Sequence, residues 1–141
     1  MKNIYDEIKK FKRKHNNTVA FRIKKHASVI EKHLNPSEEV LYVFCGQKNR
    51  SPLLFCNSCA VAVTNKRIVI GQKRLLWGYF YTSITPDLYN DMKVIKGLIW
   101  SNIEIDTALE KVYISKLDHD AAYEIETEVS EFMMEEKKKY A

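Results

Sequence analysis

The stretch Ala60-Val61-Ala62-Val63-Thr64-Asn65-Lys66-Arg67-Ile68-Val69-Ile70 consists of two apolar, largely β-branched runs separated by four polar residues. Branched side chains fit a pleated, packed surface. The Thr-Asn-Lys-Arg break is turn chemistry: Asn tolerates a left-handed backbone, short polar side chains bond the turn, and the basic tips stay in water. The stretch therefore predicts an antiparallel hairpin with both strands packed.

Working outward, the same texture repeats. Upstream, Val40-Leu41-Tyr42-Val43-Phe44-Cys45 is β-branched and aromatic and is stopped by Gly46 and Lys48-Asn49-Arg50-Ser51-Pro52. Further runs are read at Leu53 to Val63, Arg67 to Gln72, Leu75 to Ser83, Met92 to Lys96, Leu98 to Asp106 and Lys111 to Lys116. Short strands so closely spaced predict an antiparallel meander or barrel. Ile103-Glu104-Ile105-Asp106 alternates, so one of its faces is wet, whereas Val40 to Cys45 and Leu75 to Tyr81 are apolar on both faces. Their outer side needs a cover, from N-terminal helices or from a second protomer.

Helical spacing frames the strands. Ile4, Ile8 and Phe11 share one face of an amphipathic segment over residues 4–14, with lysines on the other. A second helix is predicted from Asn16-Asn17-Thr18, read as N-cap material, through Ala20, Ile23, Ala27, Ile30 and Leu34, ending at Asn35-Pro36. At the other end Asp118 is a good N-cap, and Ala122, Ile125, Val129, Phe132 and Met133 form one stripe. Acids dominate the early turns and Lys137-Lys138-Lys139 finish the segment, as the helix dipole favours.

At 141 residues, 45% hydrophobic and 29% charged, the chain has the length and composition of one folded domain. Charge is uneven: residues 1–50 carry +7, residues 51–100 carry +4 and residues 101–141 carry −6. Either an acidic external partner or a basic N-terminal helix lying near the acidic C-terminal one accounts for that split. The longest uncharged stretch, Ser51 to Asn65, is shorter than the roughly 20 apolar residues of a spanning helix. No secretory core follows Met1, so a cytoplasmic location is expected. The three cysteines, Cys45, Cys56 and Cys59, have no framework spacing and suit reduced thiols.

Three segments carry a resemblance. Asn35-Pro36-Ser37-Glu38-Glu39-Val40 leads into the first strand, Ala60 to Ile70 forms the hairpin, and Tyr89 to Ile99 contains a Lys96-Gly97 turn. From Leu34 to Tyr140 the chain resembles bacterial pleckstrin-homology-like domains. The resemblance implies a PH-like antiparallel β-barrel of about seven strands capped by a long C-terminal α-helix; with the two N-terminal helices read from spacing, which lie outside the resemblance, the expected fold is α+β. Residues 1–34 are then a helical extension packing on the barrel, and residues 35–141 the PH-like domain. It also implies binding through loops or strand edges, without catalysis. Eukaryotic relatives bind lipid headgroups with basic residues between the first two strands, where this chain offers Lys48 and Arg50. Lys66, Arg67, Lys73 and Arg74 add to that field if neighbouring turns converge; solvated turn cations are the simpler reading.

Other constellations are weaker. Leu75, Trp77, Tyr79 and Tyr81 share strand parity and form either a sticky interaction strand or aromatic core. Cys56-Asn57-Ser58-Cys59 has half the spacing of a zinc site, with no second motif and no matching spacing among His15, His26, His33 and His119, so no metal or other cofactor is expected. Gly46, Gly71, Gly78 and Gly97 are too dispersed for a phosphate cradle, and no nucleophile elbow is present. Lys9, Lys10, Lys12, Arg13, Lys14, Arg22, Lys24 and Lys25 are read first as a solvated helix face and second as a contact for an anionic membrane surface or nucleic-acid phosphates; with only Phe11 and Phe21 interleaved, base readout is unsupported. The sequence thus predicts a non-enzymatic PH-like module for a protein partner or a homo-oligomer, with peripheral binding to anionic lipid as the alternative.

Overall fold

The computed structural model describes residues 3–49 and 57–139. Arg50, Cys56 and the first part of the run read from Leu53 lie outside the described residues. The elements are α1 (Ile4–Lys14), α2 (Ile23–His33), β1 (Val40–Gln47), β2 (Ser58–Thr64), β3 (Ile68–Lys73), β4 (Tyr79–Ile84), β5 (Tyr89–Lys96), β6 (Ser101–Thr107), β7 (Lys111–Leu117) and α3 (His119–Lys138).

The seven strands form one antiparallel sheet in the order β4-β3-β2-β1-β7-β6-β5. The sheet bends where β1 meets β7, joined through the single register pair Gln47↔Ser115. Gly46 permits that crossing: a Cβ there would lie 2.7 Å from Ile114 Cγ2 and 3.1 Å from Leu117 Cδ2. The expected barrel is corrected in one respect. β4 and β5 are the two ends of the strand order and do not pair, so the sheet folds over its core without closing.

Helix α3 supplies the cork. Asp118 caps it by accepting from the Asp120 N–H at 3.0 Å, and Ala121, Ala122, Ile125, Val129 and Met133 are buried, with Phe132 partly so. Near its C-terminus Lys137 donates to the Tyr89 carbonyl, tying the helix to β5. Burying a side chain of Ile or Val size contributes about 1.5–3 kcal/mol, so this stripe is a substantial share of the domain's hydrophobic stabilisation.

The N-terminal helices lie over β1, β2 and β3, whereas Leu75 to Phe80, in the other run that is apolar on both faces, stay exposed. Register pairs Ala60 with Gly71 and Ala62 with Val69, placing small residues on one face of β2 and β3. Helix α2 lies against that face: a Cβ at Gly71 would come 2.8 Å from Ile30 Cγ1 and 3.0 Å from the His26 carbonyl. Helix α1 sits beside β1, with the Phe11 ring 6.3 Å from Phe44 and 6.4 Å from Tyr42. Ile4, Ile8, Phe11, Ala20, Ala27 and Ile30 belong to the same continuous core as the strands and α3.

Two elements start later than their sequence patterns suggest. Helix α2 begins at Ile23 behind Arg22, which is left-handed at φ 55° and makes no side-chain cap. Asn16 to Thr18 are not its N-cap, because the linker's polar groups bond across the fold instead. Thr18 Oγ1 accepts from Asp118 N (3.0 Å), Asn17 O accepts from Trp100 Nε1 (2.8 Å), and Val19 N donates to Lys116 O (2.9 Å). Strand β4 begins at Tyr79, and Leu75 to Trp77 form a turn closed by Arg74 N–H donating to Gly78 O at 3.1 Å. Gly78 sits at φ +78°, which explains a glycine inside an otherwise bulky run.

Part of the charge asymmetry is internal. Glu124 of α3 accepts from Lys14 Nζ (2.5 Å) and Tyr42 OH (2.7 Å), and His15 Nε2 lies 3.1 Å away. Burial pushes the Glu124 carboxyl up, but the hydrogen bonds from Lys14, Tyr42 and His15 outweigh it and hold the pKa down to about 2. Lys9 and Lys10 instead pair along α1 with Asp6 and Glu7. Among the described residues no helix is long and apolar enough to cross a membrane.

Candidate functional site

Of the six cations singled out in the sequence, the five among the described residues do not converge. β2 and β3 run between two turns, so Lys66 and Arg67 stand at one end of the strands and Lys48, Lys73 and Arg74 at the other, roughly 20 Å away at about 3.3 Å per residue. Arg50 falls outside the described residues.

Arg67 serves the fold. Its Nε donates to Glu38 Oε2 at 2.9 Å and Nη2 donates to Glu38 Oε1 at 3.1 Å and the His33 carbonyl at 3.0 Å, while Nη1 donates to Ser83 Oγ at 3.1 Å. Thr64 Oγ1 donates to Glu38 Oε2 at 2.6 Å and accepts from the Lys66 and Arg67 N–H groups, and Asn65 Oδ1 accepts from Glu39 N. The Thr64-Asn65-Lys66-Arg67 signature is thus the clasp that fixes the β2–β3 turn to the segment entering β1. Burial raises the Glu38 pKa, but hydrogen bonds from Arg67, Thr64 and Asn35 N–H exceed that effect and leave it lowered.

The opposite end is different in kind. Lys48 Nζ lies 5.6 Å and the Arg74 guanidinium 5.4 Å from the centre of the Phe80 ring. Directly after Arg74 the β3–β4 turn carries Leu75, Leu76 and Trp77, which are 78%, 79% and 71% exposed. The four residues read as one interaction strand are divided by this geometry. Leu75 and Trp77 stand on the turn, whereas Tyr79 and Tyr81 lie on β4 against His33, whose ring stacks on Tyr81 at 4.1 Å and meets Tyr79 edge-on at 5.1 Å.

A pocket of about 540 Å³ opens between this turn and the α1–α2 linker, walled by Phe21, Trp77 and Phe80 and rimmed by Arg22, Lys73 and Arg74. Its floor is internally bonded: Gln72 Nε2 donates to Asn57 Oδ1 and to Ser58 O, and Ser58 Oγ accepts from Phe21 N at 2.8 Å. Among the described residues none of Lys48, Arg22, Lys73 and Arg74 has a carboxylate within salt-bridge distance. Lys48, Lys73 and Arg74 lie in an interval of the sequence that contains no Asp or Glu, between Glu39 and Asp87. His26, beneath the rim, accepts from the Lys73 N–H through Nδ1 at 2.8 Å. Burial and the Arg22 charge lower its pKa to about 4, against the opposing pull of the Phe21 backbone.

Sequence reasoning missed Phe21, Arg22 and His26 as part of this site. The acid-free interval from 40 to 86 is the sequence signal that could have pointed to the cationic end; the approach of the linker to the β3–β4 turn has none. Cys45 and Cys59 are buried, and burial pushes both thiols up to about 12. Among the described residues no three His, Cys, Asp or Glu side chains gather as a metal site would require.

The segment from 34 to 131, from the entry to β1 through most of α3, matches the family model described as the bacterial PH domain. The chain belongs to the bacterial PH domain family. A solved protein of the DUF1696 family with a pleckstrin-homology domain, from Shewanella loihica PV-4, is similar in fold at a TM-score of 0.50 and 11% identity, over 86% of this chain and 97% of that one. A pleckstrin homology domain from Shewanella amazonensis SB2B aligns at a TM-score of 0.42 and 14% identity, over 72% of this chain and 78% of that one. A search of curated proteins returned no match. The bacterial PH domain segment contains β1 to β7, so it supplies the β3–β4 turn, while Phe21, Arg22 and His26 precede it.

Proposed function

We propose that this bacterial PH domain is a non-catalytic module that docks on anionic membrane surfaces through its β3–β4 turn. The observation that carries the reading is an exposed Leu75-Leu76-Trp77 tip collared by Lys73, Arg74 and Lys48, cations without acidic partners among the described residues. Three consecutive large apolar side chains on a protruding turn are a docking feature rather than ordinary surface. Trp favours the membrane interface, and each cation near an anionic leaflet contributes about 1 kcal/mol. The side-chain clusters that resemble catalytic groupings are engaged in holding the fold: Glu38 with Arg67, and Glu124 with Lys14, His15 and Tyr42.

Vesicle co-sedimentation tests the proposal. Vesicles containing phosphatidylserine should retain the protein at low salt and release it as salt rises, because screening shortens the attraction. Trp77 emission should shift to the blue on binding, and the double substitution Leu76→Ser/Trp77→Ser should abolish retention without changing the thermal midpoint. Absence of binding at low salt, or binding indifferent to that pair, refutes the reading. One observation favours a second reading, homotypic pairing: among the described residues β4 is an end strand that pairs only with β3, and Tyr79 and Phe80 on it are half exposed. A strict monomer in sedimentation velocity at high concentration ends that alternative.

A further inference from the structure

The pocket behind the β3–β4 turn has properties that a membrane-docking tip does not require. At about 540 Å³ it falls within the roughly 300–1,000 Å³ range of small-molecule sites. Its walls are aromatic and aliphatic, and its rim is cationic with no acidic residue among the lining side chains. Arg22 Nη1 donates to the Lys73 carbonyl at 3.5 Å, no carboxylate among the described residues pairs with it, and its charge is felt by His26. Phe21, Arg22 and His26, which precede the family segment, complete a pocket whose other lining residues lie within it.

We infer that this pocket binds a small amphipathic anion, with one apolar chain or ring lying on Phe21, Trp77 and Phe80 and one carboxylate or phosphate held at Arg22 and Arg74. Guanidinium groups favour such oxyanions because their planar donors match the oxygens in pairs. The apolar walls exclude a bare inorganic ion as the best occupant, since it would leave them wetted, and the cationic rim disfavours a neutral hydrocarbon for the want of a counter-charge. Arg22 is also an expensive place for an arginine: its left-handed backbone suits Asn or Gly better, and it makes no side-chain cap. Its charge at that position is what the anion uses. The inference shares the Arg74 turn with the membrane reading but does not need a bilayer.

The test titrates the full chain by calorimetry with octyl phosphate and octanoate below their micelle concentrations, alongside octanol and inorganic phosphate. One or both amphiphilic anions should bind with one-to-one stoichiometry, and octanol and inorganic phosphate should bind at least about tenfold more weakly. Stronger octyl phosphate binding assigns a phosphate headgroup and stronger octanoate binding a carboxylate. Arg22→Asn should weaken the amphiphile about tenfold or more, as loss of a charge-assisted contact does, while holding or raising the thermal midpoint because Asn accepts φ 55° more readily than Arg. Lack of saturable binding by either amphiphile, equal binding of inorganic phosphate, or indifference to Arg22→Asn overturns the inference. Vesicle binding without amphiphile binding removes the pocket and leaves the membrane reading standing; the reverse pattern removes the membrane reading alone.

Discussion

Glu38→Gln removes one of two oxygens on which four donors converge: Asn35 N–H, Thr64 Oγ1–H, and the Nε–H and Nη2–H of Arg67. A Gln side chain keeps one acceptor and turns an amide NH₂ toward donors that have no use for it. The substitution therefore forfeits two charge-assisted hydrogen bonds, each worth about 1.5–3 kcal/mol. Glu38 is buried, so water does not replace them fully, but Arg67 remains 17% exposed and keeps its His33 and Ser83 bonds. The net loss should be about 3 kcal/mol at neutral pH, the lower edge of what breaking a buried pair costs. Urea unfolding followed by circular dichroism would show a midpoint lower by about 1.5–2 M with an unchanged slope.

The same clasp predicts a pH signature. The folded Glu38 pKa lies below its unfolded value of 4.5, so its stabilisation is fully present above that value and is lost as pH falls through the folded pKa. The gap between wild type and Glu38→Gln should therefore narrow on acidification below about pH 4.5. A gap under about 1 kcal/mol at neutral pH, or one that does not narrow in acid, would refute the clasp as the origin of the turn's stability.

Gly71→Val should destabilise by about 2–3 kcal/mol, read by the same unfolding assay, because even a Cβ there meets Ile30 and the His26 carbonyl at 3.0 Å or less. Hydrogen exchange should then rise in α2 more than in α3. Glu124→Gln should loosen α1 and cost about 2 kcal/mol. The wild-type contribution of Glu124 should fade between pH 4.5 and about 2, since its folded pKa is depressed. Cys45 and Cys59 should resist a thiol reagent such as dithionitrobenzoate in the native protein and react on unfolding, because both are buried and stay protonated at neutral pH.

Patterns that repeat locally were legible. The spacing of Ile4, Ile8 and Phe11 and the stripe from Ala122 to Met133 placed α1 and α3, and Thr64-Asn65-Lys66-Arg67 placed the β2–β3 turn. Leu75 to Trp77 misled for a local reason as well: bulky apolar residues match a strand, and only Gly78 with its positive φ betrays the turn. The start of α2 misled differently. Asn16 to Thr18 look like a cap, yet Asn17 bonds to the β5–β6 turn and Thr18 to Asp118, the N-cap of α3, far along the chain.

By itself, then, the sequence determined the number and kind of elements, the PH-like order in which they come, and an acid-free interval that makes one part of the domain positive. Periodicity and turn chemistry act between near neighbours, so they are written in consecutive residues. Tertiary structure alone decided that Arg67 belongs to a clasp while Lys48 and Arg74 flank Phe80, and that Phe21 and Arg22 meet the β3–β4 turn across a pocket. The Thr64-Asn65-Lys66-Arg67 hairpin does not reveal which of its cations will find a buried carboxylate. That depends on where the chain brings Glu38, and such long-range pairing is set by packing of the whole core.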